Sequence, residues 1–382
     1  MPNNSRSKPT LGVNGWRLLG QRTGVGRYLL NVLMHWDRDA VASRFRQIIV
    51  YTPRALGPER MHLPPNIECR VLKPDARMLV WENMVFGPRV SDDVLLCPSF
   101  SRPLIARGRT VVVMHEASHK LFPQFFPERR RNSLSWLYLN LYGWSARHAS
   151  LVISDNDAAR SDVIRAYGVD ARRVRAIPLA PLDEFRKSEA DTDIAAVRRK
   201  YFGGDVPYFL HVGKLSPYRN VPALMQAFSR LKQQADLPHK LLVVGKNELG
   251  FAIQHLAAKL GIAAHFLHLE YVADADLVSI FRAATAFVMP YEYNTVSLTT
   301  MEAQACGIPV IATESLREMT GGIAVLCERP DVSSLADALL MLARNDELCR
   351  TLGEQGRAFA LQFSWRRTSL ATLDALASVA GV

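Results

Sequence analysis

One segment of the chain constrains the fold more than any other, because it joins two short apolar strands through a loop and a helix. The apolar run from Ala286 to Met289 stops at Pro290, and a polar loop and a helical stretch lead to a second apolar run, Val310 to Ala312. This order places a helix N-terminus at the carboxyl edge of a parallel sheet, where such sheets bind phosphorylated ligands. A buried crossover with a capped helix and no ligand is the alternative.

The same alternation of apolar runs and amphipathic stretches extends through both halves of the chain, which predicts parallel sheets. The candidate strands of the first half are Thr10–Val13, Gln47–Tyr51, Glu68–Leu72, Asp93–Cys97, Thr110–Met114, Leu151–Ser154 and Val174–Pro178. Those of the second half are Tyr208–Val212, Lys240–Val244, His265–Leu269, Ala286–Met289, Val310–Ala312 and Ala324–Cys327. The charged segment Pro181–Asp205 lacks strand signals and is interpreted as the linker region.

Length and composition are typical of a globular protein with two domains. The chain has 382 residues, of which 48% are apolar, and no run of eighteen apolar residues that would indicate a membrane span. Residues 1–9 are polar and lack the apolar core of a signal peptide. The five cysteines are scattered without metal-like spacing, which favours a reducing cytosol. We therefore expect a cytoplasmic protein.

The positive charge of the chain is concentrated in its first half. Residues 1–180 contain 27 lysines and arginines against 14 acidic residues, whereas residues 181–382 contain 20 against 22. This asymmetry favours an anionic partner for the first half, such as a membrane surface, a lipid-diphosphate acceptor or nucleic acid. Nucleic acid is disfavoured, because no recognised reading module accompanies the charge.

The segment that begins at Pro290 resembles the nucleotide-sugar signature of glycosyltransferase family 4, P-S-x-x-E-G-F-G-L-P-x-x-E-A-x-A-x-G-x-P-V-I-A. The residues that match in register are Pro290, Leu298, Glu302, Ala303, Ala305, Gly307, Pro309, Val310, Ile311 and Ala312. The chain departs from the signature at the first glutamate, where Asn294 stands, and at the two loop glycines, replaced by Thr295 and Ser297.

The resemblance implies a role for each part of this segment. Glu302 is expected to bind the ribose, and Asn294 to hydrogen-bond the donor sugar in place of the first glutamate. The loop and helix start are expected to hold the donor diphosphate through their backbone amides. The donor-binding residues of this part are Thr295, Val296, Ser297, Leu298 and Glu302.

A second basic segment follows the strand Tyr208–Val212. Gly213, Lys214 and Arg219 come directly after it, and two cations at the carboxyl end of a strand can neutralise a diphosphate leaving group. The segment is similar to the family's G-R-L-x-x-x-K-N, with the order of the basic residues exchanged. The resemblance implies that Lys214 and Arg219 act on the donor diphosphate during catalysis.

Two segments of the first half are candidates for binding the substrates near the reacting atoms. Gly24 and Gly26 follow the first strand and open a helix, but Leu29 stands where a dinucleotide fingerprint requires a third glycine, so NAD binding is disfavoured. The family carries a comparable G-[I/V]-G-R-Y loop near the donor. His115 ends the strand Thr110–Met114, where the family places a histidine near the reacting carbon; His119 is the alternative.

The stretch Pro127–Trp144 combines three arginines with Trp, Tyr and Leu. Basic residues beside interfacial aromatics suit peripheral contact with the inner face of the plasma membrane. A core helix with an exposed basic start is the alternative.

The resemblance implies the GT-B architecture, an α/β fold of two Rossmann-like parallel-sheet domains facing a cleft. We expect residues 1–182 to form the acceptor-binding domain and residues 183–363 the nucleotide-sugar domain. The last helix, capped by Ser364 and covering about 364–382, is expected to cross back to the first domain.

The implied function is a retaining glycosyltransferase that moves a hexose from a nucleoside-diphosphate sugar to a hydroxyl of a glycan or lipid-linked oligosaccharide in cell-surface polysaccharide synthesis. Mannose from GDP-mannose is favoured, and rhamnose, glucose and N-acetylglucosamine remain open. We expect neither a metal nor another cofactor. Two alternatives stay open: a nucleotide-sugar epimerase or hydrolase, and a degenerate, non-catalytic scaffold. The substitutions that favour a scaffold are Asn294, Thr295 and Ser297, together with Glu270, which stands where the similar family segment usually has glycine.

Overall fold

The computed structural model describes residues 8–20, 24–57, 62–125, 133–187 and 192–382, with side chains for all of these except 125, 133–138 and 274–275. The chain divides into two compact units. The first consists of the described residues up to Pro123, residues 133–179 and Ser364–Val382, and the second mainly of Ala180–Phe363.

The first unit is built on one parallel sheet. Its strands are Thr10–Asn14 (β1), Gln47–Thr52 (β2), Ile67–Val71 (β3), Val94–Cys97 (β4), Arg109–Val113 (β5), Leu151–Ser154 (β6) and Val174–Ala176 (β7). They lie in the order β3-β2-β1-β4-β5-β6-β7. The inner strands are buried along almost their whole length, as continuous apolar runs in doubly covered parallel sheets require. The order reverses direction between β1 and β4, so this is the topological switch point of the sheet.

Helices connect these strands. They are Gly24–Met34 (α1), Arg38–Arg44 (α2), Met78–Trp81 (α3), Gly87–Arg89 (α4), Ser118–Leu121 (α5), Ser133–His148 (α6) and Asp157–Tyr167 (α7). A π-helical turn, Glu82–Phe86, joins α3 to α4. Short 3-10 turns cover Trp16–Leu18, Pro123–Phe125 and Ala171–Arg173.

The second unit repeats the arrangement with a second parallel sheet. Its strands are Tyr208–Val212 (β8), Lys240–Val244 (β9), Phe266–Leu269 (β10), Ala286–Val288 (β11), Val310–Thr313 (β12) and Val325–Cys327 (β13). They lie in the order β10-β9-β8-β11-β12-β13, which puts the switch point between β8 and β11. The core of this unit combines the inward-facing residues of these strands with Leu224, Phe228 and Leu339 from the helices.

The helices of the second unit are Asp183–Arg186 (α8), Ile194–Phe202 (α9), Val221–Gln234 (α10), Ile253–Lys259 (α11), Asp274–Ala283 (α12), Leu298–Ala305 (α13), Val332–Ala343 (α14) and Asp346–Ala360 (α15). Its 3-10 turns are Pro217–Arg219, Ala263–His265 and Glu314–Leu316.

The last helix, Trp365–Ala380 (α16), belongs to the first unit although it follows the second in the chain. Ser364 caps it, since its side chain accepts from the Arg367 amide. The Ser369 hydroxyl donates to the Val32 carbonyl over 2.6 Å, and the Trp36 indole donates to the Ser369 carbonyl over 3.0 Å. Buried hydrogen bonds therefore fix the returning helix to α1 and its C-terminal end.

The predicted fold class is confirmed in its two parallel-sheet units and its returning helix. No helix was predicted in the segment Pro181–Asp205, interpreted as the linker region, but α8 and α9 form within it, the latter capped by Asp193. The π-helical turn Glu82–Phe86 was not predicted either, because its apolar pattern is too short to distinguish a helix from a strand.

Candidate functional site

The second unit concentrates polar side chains at the switch point of its sheet. The loop after β8 carries Gly213, Lys214 and Arg219, and the loop after β11 runs from Pro290 to the start of α13. The two loops touch, since the Glu292 amide donates to the Tyr218 carbonyl over 3.2 Å. The structure thus brings together the two segments that were predicted to bind the donor.

Gly213, directly after β8, lies close to the side chains of Arg219 and Tyr291. Its φ is +154°, and a Cβ atom there would lie 2.6 Å from Nη1 of Arg219 and 2.8 Å from the hydroxyl of Tyr291. A side chain would collide with both groups, so glycine is needed for the guanidinium to lie against the backbone at the end of β8.

Arg219 is held by two tyrosines. Its guanidinium lies 5.6 Å from the ring centre of Tyr218 and 4.9 Å from that of Tyr291. Its Nε donates to the Tyr218 hydroxyl over 3.2 Å. Cation–π contacts and this hydrogen bond fix the position of the positive charge before any ligand binds. The tyrosines had not been predicted as part of the site, because only the tertiary structure brings Tyr291 to Arg219.

Lys214 forms an ion pair that the sequence did not predict. Its Nζ lies 3.1 Å from Oε1 of Glu248, which follows β9, and the two side chains are 56% and 39% exposed. An anion that binds Lys214 therefore competes with Glu248. The ion pair is too exposed to contribute much to stability.

Asn294 shapes the loop in which it lies. Its Oδ1 accepts from the Val296 amide over 3.1 Å, and its own amide donates to the Ser315 hydroxyl over 3.2 Å. The side-chain oxygen is thus used within the loop, in a local turn typical of asparagine. The amide group of the side chain makes no hydrogen bond with the described residues, and its contact with the donor sugar remains a prediction.

The N-terminus of α13 is capped by its own residues. The Ser297 hydroxyl accepts from the Thr300 amide over 3.1 Å and from the Thr300 hydroxyl over 2.8 Å. Ser297 and Thr295 are buried, whereas Val296 and Leu298 are partly exposed. The cap leaves the helix dipole directed at the loop, which favours an anion there.

Glu302 lies in the second turn of α13 and is completely buried. The carboxylate has no solvent-exposed surface in this structure, and its contact with the ribose remains a prediction.

A buried histidine, His211, lies in β8 at the switch point of the sheet. Nδ1 of His211 donates to the Val288 carbonyl over 2.9 Å and so links β8 to β11. Burial lowers the pKa of His211 to about 4, so the ring is neutral at physiological pH. Its ring centre lies 6.0 Å from that of Tyr291.

In the first unit, His115 follows β5, and each of its two ring nitrogens lies close to an oxygen atom. Its Nδ1 lies 2.8 Å from Oδ2 of Asp155, and its Nε2 lies 3.2 Å from the Pro98 carbonyl. Burial alone would lower the pKa of His115, but the charge and hydrogen bond of Asp155 outweigh it and raise the pKa. Two acceptors require two N–H donors, so the arrangement favours the imidazolium form.

The alternative, His119, is buried in the core. Its Nε2 pairs with the Tyr167 hydroxyl at 2.9 Å, and its ring packs against Phe100 and Tyr142. It therefore serves as a packed core residue of this unit.

Gly24 opens α1 and is exposed, with no described atom within 4 Å of the point where a Cβ atom would lie, while Gly26 is buried in the first turn. Residues 127–132 of the predicted membrane segment lie outside the described residues, and the described remainder of that segment forms the larger part of α6.

Neither a metal cluster nor a membrane span occurs within the described residues. No group of three or more His, Cys, Asp and Glu side chains among them is arranged to hold a metal ion. None of the helices in the described ranges has both the length and the apolar character needed to cross a bilayer.

Comparison with known proteins agrees with this arrangement. Residues 194–359, nearly the whole second unit, match the family model described as glycosyl transferases group 1. The O-antigen chain mannosyltransferase B of Escherichia coli is 26% identical over 270 residues, which span 70% of each chain. A D-inositol 3-phosphate glycosyltransferase of Saccharomonospora viridis is 28% identical over 244 residues, 59% of this chain and 55% of that protein.

The fold has a solved counterpart over almost the whole chain. The structure of Anabaena HepE in complex with UDP and glucose superposes with a TM-score of 0.70, covering 96% of this chain and 97% of that one at 19% identity. Residues 194–359 are therefore similar to the group 1 glycosyl transferases, and the chain as a whole has the GT-B fold.

Proposed function

We propose that this protein is a retaining glycosyltransferase that moves mannose from GDP-mannose to a hydroxyl of a glycan or lipid-linked oligosaccharide in cell-surface polysaccharide synthesis. The observation that supports it best is the pair Lys214 and Arg219 beside the glycine at the switch point of the second sheet. The similarity to an O-antigen chain mannosyltransferase over 70% of both chains supports the sugar and the pathway class.

In the proposed reaction the sugar leaves a nucleoside diphosphate, whose terminal phosphate gains negative charge as the glycosidic bond breaks. Arg219, already fixed between Tyr218 and Tyr291, stabilises that charge without reorganisation. Lys214 joins it when the diphosphate replaces Glu248 as its partner. The first-turn amides of α13 add their partial charge to the same anion.

These cations supply the charge that a metal ion supplies in other sugar-diphosphate enzymes, so we expect transfer without added metal. Retention follows in the proposal from displacement on one face of the sugar, with the departing diphosphate accepting the acceptor's proton. The contact of His115 with the donor sugar, which the family resemblance implies, remains a prediction; Asp155 raises the pKa of the ring and so favours its cationic form.

Asn294 would change the kind of hydrogen bond that the donor sugar makes with this loop. Its oxygen is used by the Val296 amide, so it would meet the sugar as a hydrogen-bond donor through its Nδ2 amide group. The glutamate of the family signature would meet it as an acceptor.

The experiment is calorimetry of the purified chain, without metal, against GDP, UDP, dTDP and their sugar conjugates. We expect GDP and GDP-mannose to bind most tightly, and Lys214→Gln/Arg219→Gln to weaken binding about a hundredfold or more, because hydrogen bonds to charged groups contribute about 1.5–3 kcal/mol each. The matched control is Arg230→Gln/Lys259→Gln, which removes two exposed positive charges from helices α10 and α11 of the same unit.

Preference for UDP or dTDP would refute the GDP assignment, and equal losses in both double variants would refute the diphosphate site. Binding without transfer to any acceptor would support the scaffold alternative. Release of free mannose or a changed sugar would support the hydrolase or epimerase alternative.

A further inference from the structure

The first unit has a polar cluster at its own switch point, which the donor site does not use. Asn14 ends β1, Ser99 follows β4, and Arg17 lies in the 3-10 turn after β1. The carboxyl ends of β1 and β4 are neighbours in the sheet. This is the position at which open parallel sheets bind ligands.

Beneath this edge lies a buried carboxyl group. Glu82, in the π-helical turn, is 1% exposed, and its Oε2 accepts from Nδ2 of Asn14 over 2.9 Å. The Ser101 hydroxyl is near, yet Oε1 makes no well-formed hydrogen bond with any described residue. A buried carboxyl with an unsatisfied oxygen costs stability, and π-turns are frequent at functional sites.

Glu82 orients the turn that carries Arg17. Asn14, held by Glu82, accepts from the Trp16 amide through its Oδ1 over 3.2 Å and so starts the 3-10 turn Trp16–Leu18. The Trp16 indole donates to the Ala76 carbonyl over 3.2 Å. The chain of contacts thus runs from Glu82 through Asn14 to the backbone beside Arg17.

Arg17 also contacts Ser99 and Trp16 directly. Its Nε donates to the Ser99 hydroxyl over 2.8 Å, and its guanidinium lies 5.8 Å from the centre of the Trp16 ring. The residue after Ser99, Phe100, has φ of +62°, a strained conformation for a side chain of this size. Both Arg17 and Trp16 are partly exposed, so they can contact a ligand while the residues below them are buried.

We propose that this edge binds a phosphate-bearing acceptor, with Arg17 on the phosphate, Trp16 against the adjoining sugar or lipid and Glu82 as a positioning residue. The inference rests on the proposed function, since it takes the ligand to be the acceptor of glycosyl transfer. A planar guanidinium matches phosphate oxygens in pairs, and an indole face suits a sugar ring or an alkyl chain. Residues 1–180 contain 27 basic and 14 acidic residues, and this excess of positive charge favours an anion at this unit.

The ionisation of Glu82 would modulate the site. Burial raises the pKa of Glu82 to about 7, while Ser101, Asn14 and the charges of Arg17 and Arg102 lower it. The other titratable group facing it, Cys97, has a pKa raised well above its usual value and stays neutral. Below pH 7 Glu82 is mostly neutral and Arg17 keeps its full effect on an anion; above pH 7 the carboxylate offsets part of it.

The test uses the full chain with Lys214→Gln/Arg219→Gln, so that the donor phosphate site cannot bind the probes. The probes are mannose 1-phosphate and farnesyl phosphate, with mannose and farnesol as their uncharged counterparts. We expect both phosphates to bind, the uncharged probes to bind much more weakly, and Arg17→Gln to reduce phosphate affinity about tenfold or more. Tighter binding of farnesyl phosphate would assign a lipid-linked acceptor, and tighter binding of mannose 1-phosphate a soluble one.

The matched control is Arg107→Gln, which removes an exposed arginine of the same unit and should change affinity less than about twofold. Glu82→Gln keeps an acceptor for Asn14, so we expect it to fold and to raise affinity at pH 8 relative to pH 6, compared with the parent at the same two pH values. Equal binding by Arg17→Gln, or equal losses in Arg107→Gln, would overturn the proposal. An unchanged pH ratio in Glu82→Gln would overturn the role of Glu82.

Failure of this inference is distinguishable from failure of the proposed function. Nucleotide binding by the Arg17→Gln chain with intact Lys214 and Arg219 reports on the donor site alone and on correct folding. Normal nucleotide binding with no phosphate binding at Arg17 would refute only the acceptor site.

Discussion

The imidazole of His115, which is partly exposed, pairs with the buried carboxylate of Asp155, with Nδ1 2.8 Å from Oδ2. Asp155 follows β6 and His115 follows β5, so neighbouring strand ends bring them together. Because Pro98 supplies a second acceptor at Nε2, the protonated ring satisfies both contacts. This charge state, and not only the position of the histidine, distinguishes the carboxyl edge of the first sheet.

We predict that Asp155→Asn lowers the pKa of His115, because the amide retains an acceptor oxygen but removes the negative charge. The raised pKa means that this pair stabilises the fold fully below the ordinary histidine value near 6.5, and that the contribution is lost as the pH rises through the folded value. NMR titration of the His115 ring protons in both proteins measures the shift. An unchanged pKa would contradict the assignment of the ion pair.

A second prediction concerns the competition for Lys214. Glu248→Gln should raise the affinity for a nucleoside diphosphate by up to about fivefold, because breaking an exposed ion pair costs about 1 kcal/mol or less. Calorimetric titration with the preferred nucleotide measures it. Glu354→Gln, which removes an exposed carboxylate from α15 of the same unit, is the control and should have no such effect. Weaker binding in Glu248→Gln would show that Glu248 contributes to the site directly.

Gly213→Ala should weaken nucleotide binding at least about tenfold, because the new methyl group would lie 2.6 Å from the guanidinium of Arg219 and must displace it. The positive φ adds a strain of about 1–3 kcal/mol to the folded state. Binding and thermal unfolding are both measured. Gly204→Ala is the control, since its Cβ would meet nothing closer than 3.5 Å. Normal binding in Gly213→Ala would mean that Arg219 is not needed where the structure places it.

The low pKa of His211 predicts how the free energy of unfolding depends on pH. Its folded pKa of about 4 lies below the ordinary value of 6.5, so the unfolded chain binds a proton that the folded chain excludes between these values. The free energy of unfolding should therefore fall with decreasing pH, by up to about 1.4 kcal/mol per pH unit from this residue. Denaturant unfolding at pH 7, 6 and 5 should show a shallower fall for His211→Gln. An identical pH dependence would contradict the buried, neutral ring.

Local patterns predicted much of the fold. Continuous apolar runs located the strands of both sheets to within about two residues, because strands buried on both faces need apolar side chains at every position. Helices such as Val221–Gln234 and Asp274–Ala283 lie between these strands, as the alternation of apolar runs and amphipathic stretches predicts. The short helices in the region Pro181–Asp205 were missed, since they bury few residues and leave a weak periodic signal.

The sequence by itself determined the fold class, the order of elements, the returning helix and the two loops at the switch point of the second sheet. These follow from interactions within a few residues: strand and helix periodicity, and the capping serines Ser297 and Ser364. Only the tertiary structure decided which side chains meet. Glu248 reaches Lys214, Tyr291 reaches Arg219, and Glu82 reaches Asn14, because parallel strands distant in sequence end at one edge of a sheet. The electrostatics of both sites arise from these long-range contacts, which no local pattern records.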